Sequence, residues 1–394
     1  MLRIDEPSPA PARRFALWDL GFRPFYLLAS AFAALSVALW ALESAGWLPG
    51  GYLEAPTRHG HEMLFGFALA VVAGFLFTAV RNWTNEPTPT GGWLMAIAAL
   101  WLLARVAMLV AAPIVAGIAN AAFPIAVAIG IAIPLARSGN RRNFFFVPLL
   151  VAAGLAAFAM QLAAAGVLPW ETRTASLTLG LDIVMFIIAV VAGRVVPMFT
   201  NNAIAGAQSM RKPLVERASL GGVLALIAAD ALLPDSSALA VLAIVVAVAH
   251  ATRLWLWRPW RTASTPLVWI LHAAYGWIVI YLVLRALAAW GLVAAPLAIH
   301  ALTIGTIGGM TIGMMTRTAR GHSGLPLVAD RYDVTCYALV ELAALVRVFG
   351  GLALPESYRA TVVLSGLCWA SAFALYAIRY WPVLTRPRLD GKPG

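Results

Sequence analysis

Apolar runs of about twenty residues recur along almost the whole chain, and they limit what it can fold into more than any other feature. A helix gains 1.5 Å per residue, so about 20 apolar residues cross a hydrocarbon layer about 30 Å thick. Inside lipid an unpaired backbone N–H or C=O costs several kcal/mol, which leaves helices or closed barrels as the spanning structures. Barrel strands are shorter and alternate in polarity, unlike these runs. Composition excludes the soluble alternative. Of 394 residues 62% are hydrophobic and 11% charged, whereas a soluble domain is about 25% charged. Too few charges remain to cover a water-facing surface, and 15 Trp, 17 Phe and 9 Tyr argue against disorder.

Hydropathy places twelve spans, at 25–47, 61–80, 92–111, 113–135, 144–168, 176–197, 218–233, 236–256, 266–290, 294–316, 332–353 and 359–381. The expected class is an all-α polytopic membrane protein forming a single membrane domain over 1–394. The net charge of +11 first suggests a nucleic acid partner, but its placement reads as topology. Twenty-two Lys and Arg residues fall at the two ends and in alternate loops, against three, Arg58, Arg173 and Arg359, on the other side. The positive-inside bias then puts both termini in the cytoplasm. The partner implied is the lipid bilayer, and no nucleic acid is needed. The first apolar run exceeds twenty residues and lacks a small-residue cleavage site, so it reads as a retained span. Cys336 and Cys368 lie at different depths and are not expected to pair.

Landmarks repeat at a step near 120 residues. Ala70-Val-Val-Ala-Gly74 recurs as Ala189-Val-Val-Ala-Gly193, with Gly313 the third member. Gly46-Trp-Leu-Pro49 recurs as Gly166-Val-Leu-Pro169, and Arg105-Val106 as Arg347-Val348 two steps on. Each repeat, 25–136, 144–256 and 266–381, holds four spans and so enters the membrane the same way round. Parallel repeats are related by an axis along the membrane normal. The expected architecture is three four-helix arcs about a pseudo-threefold axis. Spans two, six and ten are expected at the centre, where small residues such as Gly305, Gly309 and Gly313 let helices approach.

The repeat places His61 and His300 at one depth, each 13 residues before its glycine, while the third equivalent position is Gly180. Two equivalent imidazoles flanking one gap suit a planar macrocycle held by two axial ligands, with haem b the expected cofactor, while the competing reading of the pair is two hydrogen-bonded residues between helices. Bis-histidine ligation leaves no open iron position and favours electron transfer. Copper is a second candidate cofactor. His250 and His272 sit at similar depth on neighbouring spans near Met310 and His322, and His59 lies beside His61 in the opposite loop. Imidazole with thioether suits copper, Cu(I) in particular. Arg58, Arg173 and Arg359 are candidates to meet haem propionates. Glu62, Arg105, Asp182, Arg194, Arg285, Glu341 and Arg347 lie within or at the ends of spans, where charge is expensive. Catalytic residues are not identifiable from the sequence.

His59-Gly-His-Glu-Met-Leu-Phe-Gly66, Gly193-Arg-Val-Val-Pro-Met-Phe-Thr200 and the run from His300 through Gly313-Met-Met-Thr-Arg317 to His322 resemble the NnrS family. So do Arg253-Leu-Trp-Leu-Trp-Arg-Pro-Trp-Arg261 and Trp269-Ile-Leu-His272. The resemblance covers nearly the whole chain, with Arg81 standing where the family pattern has proline. It implies a haem- and copper-containing protein of the bacterial inner membrane, linked to denitrification and protection from nitric oxide. An electron donor, quinol or cytochrome, follows from that expectation. The architecture is also similar to the catalytic subunit of haem–copper oxidases and nitric oxide reductases. This chain lacks a histidine in span six and the paired copper ligands of span seven, so oxygen or nitric oxide reduction is not assigned. The alternatives from other classes are a twelve-helix secondary transporter without haem and a haem-free membrane scaffold or sensor.

Overall fold

A computed structural model describes residues 15–48, 56–232 and 237–389. Pro49, the basic residues Arg3, Arg13, Arg14 and Lys392, and residues 233 and 236 at the expected limits of spans seven and eight lie outside the described residues. Among the described residues there are helices and no strands. The long helices are α1 (Phe22–Ser44), α2 (Pro56–Thr84), α3 (Gly91–Val110), α4 (Pro113–Arg137), α5 (Phe146–Ala164) and α6 (Thr172–Ala203). They continue as α7 (Pro213–Leu232), α8 (Ser237–Leu256), α9 (Pro266–Ala289), α10 (Ala295–His322), α11 (Arg331–Ala353) and α12 (Tyr358–Thr385). Among the described residues 11 helices are long and apolar enough to cross a membrane, making this a multi-pass membrane protein. The exception is α7, the expected seventh span. Its 20 residues include Glu216, Arg217 and Asp230, so charge interrupts the apolar stretch.

Sequence signals explain where these helices begin and end. Pro113 opens α4 at its first turn, where a missing N–H costs nothing, and this permits the tight α3–α4 connection. Helices α1, α5 and α9 end alike, on Gly46, Gly166 and Gly291 with φ of +77°, +74° and +73°. In each case the glycine N–H and the next N–H return to carbonyls of the last turn, as from Gly46 to Glu43 and from Trp47 to Leu42. A left-handed residue closes the helix here, and only glycine adopts that conformation at no steric cost.

Helix α1 packs along α12, α4 along α5 and α8 along α9, while α2, α6 and α10 touch one another pairwise. The most apolar stretches of α2 and α10 are 89% and 78% buried, against 39% for α8 and for α11. Close packing around α10 depends on absent side chains: a Cβ on Gly305 would lie 2.3 Å from the Trp277 ring.

Three helices contain π-helical turns: Glu62–Ala68 in α2, Ala301–Gly308 in α10 and Val346–Gly350 in α11. Such turns loosen the regular hydrogen-bond ladder and recur at functional sites. In α2 the Trp101 Nε1–H of α3 donates to the Gly66 carbonyl at 2.9 Å, supplying a partner from a neighbouring helix.

Candidate functional site

The first two π-helical turns begin one residue after His61 and one residue after His300. His61 is fully buried, and its Nδ1 lies 3.2 Å from Glu62 Oε1. A carboxylate only accepts, so Nδ1 carries the hydrogen and the lone pair rests on Nε2. That Nε2 is buried without a hydrogen-bond partner. His300 is held the same way: Nδ1–H donates to the Pro296 carbonyl at 2.6 Å, again leaving the lone pair on Nε2. Both imidazoles are therefore fixed in the tautomer that binds a metal through Nε2, each with a supporting acceptor behind it.

Glu62 leads into a buried relay. Its Oε2 accepts from Arg105 Nη1 at 2.5 Å, Arg105 Nη2 donates to Asn120 Oδ1, and Asn120 Nδ2 donates to the Ala116 carbonyl at 2.8 Å. Residues of α2, α3 and α4 thereby fix one histidine. The guanidinium lies near the Phe32 and Trp101 rings, with centroids 5.7 and 5.9 Å away. Gly66 makes room for it, since a Cβ there would meet Arg105 Nη1 at 2.6 Å. Buried ion pairs need this degree of hydrogen bonding to offset desolvation.

His59, two residues before His61, stacks on Trp40 with centroids 4.1 Å apart and planes at 16°. Its Nδ1 is buried without a partner. Arg347, in the third π-helical turn, acts electrostatically on both His59 and His300. It is 3% exposed. Nη2 donates to the Tyr358 hydroxyl at 2.6 Å, whereas Nε and Nη1 have no partner. Two orphaned N–H groups on a buried cation form a ready anchor for a carboxylate. Of the three arginines expected in this role, Arg58 and Arg173 interact electrostatically with each other. Arg173 Nη2 also donates to Thr57 Oγ1 at 2.9 Å. Arg359 is exposed at the start of α12.

The other candidate metal residues keep different company. His250 Nδ1 lies 2.7 Å from the Tyr275 hydroxyl, which also accepts from Arg253 Nη1 at 2.9 Å. Arg253 reaches through the notch at Gly193, where a Cβ would sit 1.8 Å from Nη2, and grips both oxygens of Glu216. His272 Nδ1–H donates to the Val268 carbonyl at 3.1 Å, and Nε2 faces Thr200 Oγ1 at 3.4 Å. Tyr275 and Trp257 form a chain of ring contacts linking His250 to His272. Met310 is buried in α10, and the His322 ring lies 5.7 Å from that of Phe22. Among the described residues no group of three or more His, Cys, Asp or Glu is placed to hold a metal.

Sequence reasoning had not anticipated the three π-helical turns or the orphaned donors of Arg347. The signal for the latter was present, since an arginine inside a span needs a partner.

A family model described as NnrS protein matches residues 16–388. No curated protein matches the chain.

Proposed function

The chain belongs to the NnrS family, and from that premise we propose that it is a haem b protein serving nitric oxide protection in denitrification-linked metabolism. The observation that carries this reading is the bare, buried Nε2 of His61, with its tautomer fixed by Glu62. His300 has the matching tautomer and the matching π-helical turn. His61 and His300 are the proposed axial ligands, and Arg347 is the proposed propionate contact, ahead of Arg58, Arg173 and Arg359. A haem held by His61 and His300 would supply one-electron transfer. Glu62 orients His61 by accepting its Nδ1–H, and Arg105 holds that carboxylate in place. The apolar walls around His61, including Phe65 with its ring centroid 5.1 Å away, exclude water from the ligand atom. The electron donor is proposed to be a quinol or cytochrome. Copper remains a proposal from the family alone, and no step is routed through it.

The same reading places the protein in the bacterial inner membrane, as three four-helix units with twelve spans and both termini cytoplasmic. Supporting it, the packing of α4 on α5, α8 on α9 and α12 on α1 recurs at every fourth helix. The shared glycine ends of α1, α5 and α9 recur with it. For both termini to lie on one side, α7 must also cross. Its Asp230 would then be compensated by Arg285 of α9, to which it is hydrogen-bonded.

The test is the reduced absorption spectrum of the purified protein. A low-spin haem b spectrum is expected, abolished in His61→Ala and in His300→Ala and retained in His322→Ala. A normal spectrum in both ligand variants overturns the assignment.

A further inference from the structure

Away from the histidines, the loop between α4 and α5 and the ends of α6 and α7 enclose a cleft of about 410 Å³ that adjoins a second of about 400 Å³. Arg142, Arg194 and Arg211 line both, and Arg217 lines the first. Glu216 is the one acid among the lining residues. Its charge is already used: Oε1 accepts from Arg253 Nε at 2.9 Å, and Oε2 accepts from Arg253 Nη2 at 2.5 Å and Arg211 Nη2 at 3.1 Å. Arg253 lies behind the cleft, 1% exposed, so it neutralises Glu216 without facing the opening. Five arginines, Arg253 included, thus share one carboxylate, which leaves four positive charges in excess around one space.

Arg194 is the pivot. Its Nη1 donates to Asn143 Oδ1 at 2.5 Å, and its guanidinium carbon lies 5.9 Å from both the Trp83 and Phe145 ring centroids. These contacts hold a flat, half-buried cation in one orientation. Arg142 and Arg211 are the like charges that act on it. Gathering these cations costs repulsion, which an anion entering the cleft would relieve. Guanidinium forks match the paired oxygens of a phosphate. Basic pockets between membrane helices take phospholipid headgroups, and Val190 and Leu220 supply an apolar wall beside the charge.

We propose that this cleft binds a phosphate-bearing anion through the N–H groups of Arg142, Arg194 and Arg211. The proposal is independent of the haem reading, because none of these side chains touches the histidine pair. The shared chemistry belongs to an anionic lipid headgroup or to free phosphate, and the test separates the two.

The full chain is placed in phosphatidylcholine nanodiscs and given phosphatidylglycerol in one arm and sodium phosphate in the other. Lipid retention is read by native mass spectrometry and stabilisation by the thermal midpoint. Selective retention of phosphatidylglycerol assigns a lipid, and stabilisation by phosphate without such retention assigns the free ion. In either case Arg142→Gln/Arg211→Gln, at two exposed positions, weakens binding by about tenfold or more, whereas the exposed control Arg261→Gln leaves it unchanged. Arg194→Gln gives the same loss if the variant folds. No preference for either anion over phosphatidylcholine alone, or anion binding unchanged in the double variant, overturns the proposal.

Discussion

His61 and His250 are both completely buried, yet their neighbours constrain the two rings differently. His61 lies in the first turns of α2, where Glu62 can only accept, so Nδ1 holds the hydrogen and Nε2 is bare. His250 lies in the last turns of α8. There Nδ1 lies 2.7 Å from the Tyr275 hydroxyl, which accepts from Arg253 Nη1 at 2.9 Å and is able either to donate to His250 or to accept from it, and Nε2 has no hydrogen-bond partner here too. Burial is the same, and only His61 has its tautomer set by a group that can do nothing but accept. The neighbour that a histidine is given, more than its depth, decides whether one ring nitrogen is reserved as an acceptor.

That contrast can be broken first at its structural end. Arg253→Ala removes the buried partner that grips both oxygens of Glu216 and leaves a carboxylate 13% exposed with only the exposed Arg211 beside it. The expected cost is about 3 kcal/mol or more, read as a lower denaturation midpoint. The haem spectrum of the folded fraction should stay normal, and a lost spectrum with an unchanged midpoint would reverse the roles of the two regions. A smaller effect sharpens the other end. Glu62→Gln keeps a hydrogen-bond acceptor beside His61 but removes its charge, and haem affinity should fall by about tenfold or more. Unchanged affinity would reduce Glu62 to a counter-ion for Arg105.

Several parts of this picture were legible in the sequence. The apolar runs mark the helices because lipid leaves the backbone no other way to pair its polar groups. The spacing of His61 and His300 from Gly74 and Gly313 marks equivalent positions on two helices, and each lies one residue before a π-helical turn that the spacing does not report. Gly291 was harder to see, because the third glycine end breaks the 120-residue step, although its φ of +73° matches the other two. The Glu62–Arg105 pair is 43 residues apart, and no local pattern reports a contact set by how α2, α3 and α4 pack. The span expected at 218–233 shows where hydropathy is weakest: the charges of α7 are paired with Arg253 and Arg285 on other helices, a compensation invisible along one strand of sequence.

The smallest effect lies outside the spans and serves as a reference for both regions. Asp330 caps α11, accepting from the Tyr332 and Asp333 N–H groups at 2.9 and 3.1 Å, and it also accepts from Arg379. Partial burial pushes its carboxyl upward, but hydrogen bonding with Asp333 and the Arg379 guanidinium hold it below its ordinary value. A depressed folded value stabilises the protein above the unfolded pKa of about 4, and the contribution disappears as pH falls through the folded value. Asp330→Ala should cost about 1 kcal/mol at pH 7 and less in acid, with haem untouched. Equal cost at both pH values would remove the carboxylate charge from the explanation.

Near-infrared magnetic circular dichroism of the oxidised, purified protein tests the central claim most directly, because its charge-transfer band reports the identity of the axial ligands. The account predicts a low-spin signal of bis-imidazole type, unchanged in His250→Ala and lost in His61→Ala. A histidine–methionine or high-spin signal in the unmodified protein, or a bis-imidazole signal surviving in His61→Ala, would contradict it.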